Sequence, residues 1–241
     1  MSILKENITF ETNSPIWGIK YNDPHIALEV RNQDEETVKY IILDKSLNLL
    51  NTIIPKENWL INLEILTNNE LILSTFEEGE TPSKKDILIY DINSSKEELI
   101  ENQSLIEISN TELILKDHES DEVVHRTISN VSDVKITFPA HYSEESEHLI
   151  TVSDFLRTTA LKEKVVSADY LETKDHIIIS YFCLENDMLN SYLLITDTEG
   201  SPVHQFKTGE KLNGIAFDTF FLVKSRLYYI ANQNSLSTLS L

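Results

Sequence analysis

Five ionisable residues recur at comparable places along this chain: Lys20, Glu64, Glu107, His141 and Asp169. Each lies between apolar neighbours in a short segment that precedes a pair of strand-like runs. The segments read Gly18-Ile19-Lys20-Tyr21, Leu63-Glu64-Ile65, Leu105-Ile106-Glu107-Ile108, Pro139-Ala140-His141-Tyr142 and Ser167-Ala168-Asp169-Tyr170. A sixth, Ile215-Ala216-Phe217, carries no ionisable group. If the segments are equivalent strands of a ring, the five side chains converge on an axial pocket from separate repeats. Carboxylates crowded beside a histidine and a lysine push one another's pKa values apart, which is how acid–base chemistry is set up. In that reading His141 is the base, and Glu64, Glu107 or Asp169 is the acid or ligand, acting on a small cationic or neutral substrate. A wet channel lined by mutually paired polar groups is the plain alternative.

Trp17 and Trp59 each stand just ahead of one of these segments. Two indoles at one mouth of a ring offer faces for stacking on a sugar or aromatic ligand. They equally supply large apolar area for packing between repeats, which is the simpler reading.

Other chemistry finds little support. The pairs His118/His125 and His141/His148 have odd spacing, which in strands puts side chains on opposite faces. No H-E-x-x-H occurs, and the single cysteine, Cys183, cannot build a structural zinc site or an internal disulfide. Cys183 lies in an apolar strand and reads as a small buried hydrophobe. The acidic runs at Asp34-Glu35-Glu36, Glu77-Glu78-Gly79-Glu80 and Glu144-Glu145-Ser146-Glu147 lack the alternating oxygen ligands and turn glycine of a calcium loop. With five glycines in 241 residues there is no Gly-rich phosphate loop and no G-x-S-x-G elbow. No cofactor and no metal are expected.

The net charge of −20 repels nucleic-acid phosphates and anionic lipid. The first residues lack the basic and apolar regions of a signal peptide, and no apolar run approaches a membrane span. These features predict a cytoplasmic, soluble monomer with a protein or small-molecule partner, and neither nucleic acid nor membrane as a target.

The elements that must position the candidate residues are strands. Apolar runs of four to eight residues, rich in β-branched and aromatic types, alternate with polar connectors. An aliphatic strand ending in an acidic tight turn occurs at Tyr40 to Ser46, Leu88 to Asn93 and Leu193 to Gly200. Another apolar strand precedes each, at Ile26 to Val30, Leu71 to Phe76 and Ile177 to Phe182. The one helical candidate is Thr151 to Lys164, opened by Ser153 and Asp154; a strand fits it nearly as well. With a spacing of about thirty to fifty residues, the units suit β-propeller blades. The predicted architecture is a single all-β domain over 1–241, β-propeller-like, with five or six blades. The third unit, Ser104 to Ile128, is short, and the last lacks a fourth strand, which Asn7-Ile8-Thr9-Phe10 supplies in a closed ring.

The rhythm of Ile177 to Phe206 resembles that of β-propeller proteins in general, without the Gly-His and Trp-Asp signature of the WD40 class or the kelch double glycine. Gly214-Ile215-Ala216-Phe217-Asp218-Thr219-Phe220-Phe221 and Ser180-Tyr181-Phe182 resemble a bacterial family of unknown function, which implies no activity, cofactor or partner. Propellers host binding scaffolds and many enzymes, so the fold does not choose between them. The absence of a nucleophile motif and of metal spacing favours a binding or protein-interaction module. The axial enzyme is the alternative.

Overall fold

The computed structural model describes residues 6–56, 59–75, 86–109, 111–131, 135–159, 163–216 and 219–241. The chain begins with β1 (Glu6–Glu11), then β2 (Ile16–Asn22), β3 (His25–Asn32), β4 (Thr37–Asp44) and β5 (Leu49–Ile53). It continues with β6 (Ile61–Leu66), β7 (Glu70–Thr75), β8 (Asp86–Asp91) and β9 (Glu97–Ile100). Next come β10 (Gln103–Ile108), β11 (Glu112–Asp117), β12 (Val123–Thr127), β13 (Ile136–Thr137) and β14 (Ala140–Ser143). Helix α1 (Glu147–Thr158) leads to β15 (Lys164–Glu172), β16 (His176–Glu185), β17 (Met188–Asp197) and β18 (Pro202–Leu212). The last strands are β19 (Phe220–Val223), β20 (Arg226–Ala231) and β21 (Ser235–Ser240).

All pairings are antiparallel. Three sheets follow chain order, β2–β5, β6–β9 and β10–β12; a fourth is β14–β18, and the fifth runs β1-β21-β20-β19-β13. The all-β expectation therefore stands, with one helix among the described residues. The N-terminal strand does join the last sheet: Thr9 pairs with Ser237 and Phe10 with Leu236.

The chain divides into two compact units, one of Thr12–Val134 and one of Met1–Glu11 with Lys135–Leu241. In the first, Tyr40 and Ile42 pack with Leu63, Leu71 and Tyr90 between the β2–β5 and β6–β9 sheets. Ile72 and Ile89 pack with Leu113 and Leu115 between the next two. In the second unit, Ile178, Leu193 and Ile195 meet Phe220, Leu227 and Tyr229 between the β14–β18 sheet and the sheet of β1, β21, β20, β19 and β13. The central strands are buried on both faces, which is why β3, β4 and β16 read as continuous apolar runs rather than alternating ones.

The acidic turns are real and more numerous than predicted. The Asp44 carboxylate accepts from Ser46 N and Asn48 N, and Asp91 from Asn93 N and Ser94 N. Asp197 accepts from Glu199 N and Ser201 N. Asp117, outside the predicted set, does the same for Glu119 N and Ser120 N at the end of β11. Each carboxylate satisfies turn amides that no strand reaches.

Helix α1 begins well ahead of the predicted Ser153 start. Ser146 Oγ caps it by accepting from His148 N, and Arg157 sits in its last turn. Leu149, Val152 and Leu156 form its buried stripe, packed on Ala168, Ile179, Tyr181 and Leu194 of the sheet. Ala160, Leu161 and Lys162, inside the predicted helix, lie outside the described residues. No described helix is long and apolar enough to cross a membrane.

Candidate functional site

The second unit contains an open cleft of about 1070 Å³ at one end of the β14–β18 sheet. Four stretches build it. His141 and Ser143 come from β14, Val166 and Ser167 from β15. Leu184 and Met188 flank the β16–β17 hairpin, and Lys211, Leu212 and Ile215 follow from the end of β18. The sequence places backbone irregularities around it. Bulges interrupt the register between Val165 and Ser167 and between Leu189 and Ser191, the kind of feature that re-aims side chains beside a site. The hairpin turns on Asn186 and Asp187, both at positive φ, a conformation that these residue types tolerate. Gly209 lets two strands close up: a Cβ there would stand 2.7 Å from Ser191 Oγ and 2.9 Å from Leu212 Cδ2.

His141 stands directly opposite Asp169 in the β14–β15 ladder. This corrects the expectation that the two come from separate repeats. After β14 the chain crosses over through α1 and returns as β15 in the same sheet, so the two segments are neighbours rather than equivalents.

Asp169 is 1% exposed, and its charge is held by three donors. His141 Nδ1 lies 2.7 Å from Oδ1, while Thr219 N at 3.0 Å and Thr219 Oγ1 at 2.7 Å both donate to Oδ2. A carboxylate oxygen accepts, so Nδ1 is placed to donate in this contact. Ser167 Oγ lies 3.5 Å from Nε2. The His141 side chain is 23% exposed and lines the cleft. The arrangement is an imidazole oriented by a buried carboxylate and partly open to the cleft.

Lys20, Glu64 and Glu107 belong to the other compact unit. All three lie on the first strand of their sheets, as predicted. Lys20 and Glu107 are exposed, and Glu64 accepts from Ser74 Oγ. Their positions are not equivalent. The first strands β2, β6 and β10, and β15 as the second strand of its sheet, each carry one extra residue against the following strand: Trp17, Glu64, Ile106 and Val166. Lys20 and Asp169 stand after their bulges, whereas Glu64 is itself the bulged residue.

Trp17 and Trp59 do meet, in a T-shaped contact at 5.6 Å between centroids. Both cover the Arg31 guanidinium, at 5.4 and 5.0 Å from its central carbon. Beneath them Arg31 Nε donates to Glu29 Oε1 at 2.6 Å, and the two terminal nitrogens donate to the carbonyls of Trp59 and Ile61. Glu29 Oε2 accepts Leu63 N at 2.9 Å. The indoles thus have an internal cation to stack on, although Trp17 remains 51% exposed.

Cys183 faces the α1 side of its sheet, and burial pushes its thiol up to about 12, so it is protonated at neutral pH. No group of three or more metal-ligating side chains occurs among the described residues.

Ser167, Thr219 and the apolar wall of Leu184, Met188 and Ile215 were not singled out in the sequence. One signal for Ser167 was available: it precedes Asp169 by two residues and so shares its face of the strand.

Residues 20–97 match the model of a family described as a domain of unknown function, DUF4905. That match covers the first two sheets, not the Gly214 to Phe221 stretch that carried the resemblance in the sequence. No curated protein matches the chain. Among solved structures, the chain is similar to BamB from Moraxella catarrhalis at 8% identity. The TM-score is 0.31, with 99% of this chain and 100% of that one covered. It is also similar to the AfRom2 CNH domain at 12% identity and a TM-score of 0.25, covering 95% and 81%.

Proposed function

We propose that this chain is a binding module built on a β-propeller of five blades, with its ligand seat in the His141 cleft. The propeller reading is supported by the consecutive strand order of the first three sheets and by β1 completing the last one. The observation that carries the binding reading is the cleft itself. Its size suits a ligand or a short peptide segment. It joins an apolar wall, Leu184, Met188 and Ile215, each more than a third exposed, to a hydrogen-bonding imidazole held in one orientation. Such a surface holds a partner by apolar contact and orients it by one polar bond. The module works as a monomer on a protein or small-molecule partner. The lone buried Cys183 suits a reducing compartment such as the cytoplasm.

The test is a methyl-labelled sample titrated with short apolar peptides. The resonances of Leu184, Met188 and Ile215 are expected to shift together, and Met188→Glu to abolish the shifts. Shifts confined to other parts of the chain, or none, would sink the proposal.

A second reading is acid–base catalysis with His141 as the base. The contact between Nδ1 and buried Asp169 favours it, because a carboxylate behind an imidazole fixes the orientation that acid–base work needs. Turnover of chromogenic esters or amides, lost in His141→Ala, would support it; no turnover with either substrate counts against it.

A further inference from the structure

We infer that the occupant of the His141 cleft is a segment of a protein partner that is both apolar and positively charged. The inference rests on the cleft being a ligand seat and adds the chemistry of what fills it.

Five charged side chains line the cleft beside His141: Glu144, Glu145, Asp187, Lys164 and Lys211. Two of them cancel locally, since Lys164 Nζ lies 2.7 Å from Glu144 Oε1. That leaves two carboxylates, Glu145 and Asp187, against one ammonium, Lys211. Neither carboxylate has an ion-pair partner among the described residues. A ligand cation can therefore reach an anion that the protein does not neutralise itself.

The whole-chain charge of −20 acts in the same direction, raising the local concentration of cations and depressing that of anions. The exposed wall of Leu184, Met188 and Ile215 then asks for aliphatic side chains next to the cation. Lys211 supplies a donor for a ligand carbonyl, which a peptide carries and a simple amine does not. A basic, leucine-rich segment meets all three conditions.

Three fluorescent pentapeptides of the same leucine framework, with lysine and arginine, serine, or glutamate at the polar positions, test this by anisotropy on the full chain. The cationic peptide is expected to bind about fivefold or more tightly than the serine peptide, with the glutamate peptide weakest. The preference should shrink as salt rises. Combining Glu145→Gln with Asp187→Asn should remove most of it. Both sites are exposed, and asparagine tolerates the positive φ at 187. Equal or tighter binding of the serine or glutamate peptide in the cleft overturns the charge assignment while leaving the ligand seat intact. No binding by any of the three, or binding untouched by Met188→Glu, overturns the seat and the inference with it.

Discussion

Glu29 and Asp169 are both buried on strands, and both accept a main-chain N–H from outside their own sheet, that of Leu63 in β6 in one case and that of Thr219, just ahead of β19, in the other. They differ in the cation that completes them. Glu29 is matched by Arg31, which spends its remaining donors on the carbonyls of Trp59 and Ile61 and is roofed by two indoles. The Arg31 and Glu29 side chains of that cluster both bind backbone groups of the neighbouring sheet and the segment before it. Asp169 is matched by His141, whose second nitrogen faces an open cleft. The same device is a closed clamp in one unit and a half-open one in the other. The arginine there is structural, because it never loses its proton and its planar fork is spent on Glu29, Trp59, Ile61 and Asn62. The histidine is held by its carboxylate yet stays 23% exposed in the cleft.

The contrast predicts a ranking. Arg31→Met should be the most damaging change, because it strands a buried carboxylate and two carbonyls; about 3–5 kcal/mol of stability is expected, read by urea denaturation. A smaller loss than that of His141→Ala would break the comparison. Asp169→Ala leaves Thr219 N–H and the Thr219 hydroxyl without their acceptor and should cost about 2–3 kcal/mol in the same measurement. His141→Ala leaves Asp169 its two Thr219 donors, so a cost near 1 kcal/mol is expected, together with loss of ligand binding. Trp17→Ala removes half of the Arg31 roof from an exposed position. A loss of about 0.5–1 kcal/mol should follow, with binding in the cleft unchanged.

The turns respond to acid rather than to mutation of the clamps. Hydrogen bonds from turn amides and side chains hold Asp44, Asp91 and Asp117 below the ordinary carboxylate range. Groups lowered in the folded state contribute stability that is fully present above their unfolded pKa, about 4, and is lost as pH falls through the folded value. Thermal midpoints should therefore be flat from neutral pH to about 5 and decline below about 4. A midpoint unchanged on acidification would show that these bonds add nothing.

Much of the framework was legible in residue types. Tyr40 to Asp44 and Leu193 to Asp197 announced both a buried strand and the turn that ends it, because aliphatic runs and Asx turns are local effects. The partnership of β1 with β21 was legible too, since a sheet one strand short and a spare polar-apolar run imply each other. Asp117 was missed because His118 and Glu119 disguise its turn as a charged loop. The helix was misplaced because Ser143 to Glu147 looked like solvated loop, whereas Ser146 is its cap. The site was half legible. His141 and Asp169 were both picked out, but as members of a ring of five. Nothing local to either segment reveals that α1 folds one back upon the other. The cleft wall was not legible at all, because Leu184, Met188 and Ile215 look like ordinary strand residues until two bulges and Gly209 set the hairpin beside them.

The pairing of Thr9 with Ser237 spans 228 positions. During synthesis β1 is made before β21, and all of Thr12–Val134 is made in between. That intervening stretch is continuous and brings its own cores, so it is free to fold while β1 waits. For that interval β1 is a strand on a growing chain without its β21 partner, and the wait lasts until β21 has been made. Slowing the ribosome late in the message would lengthen that wait without altering a residue.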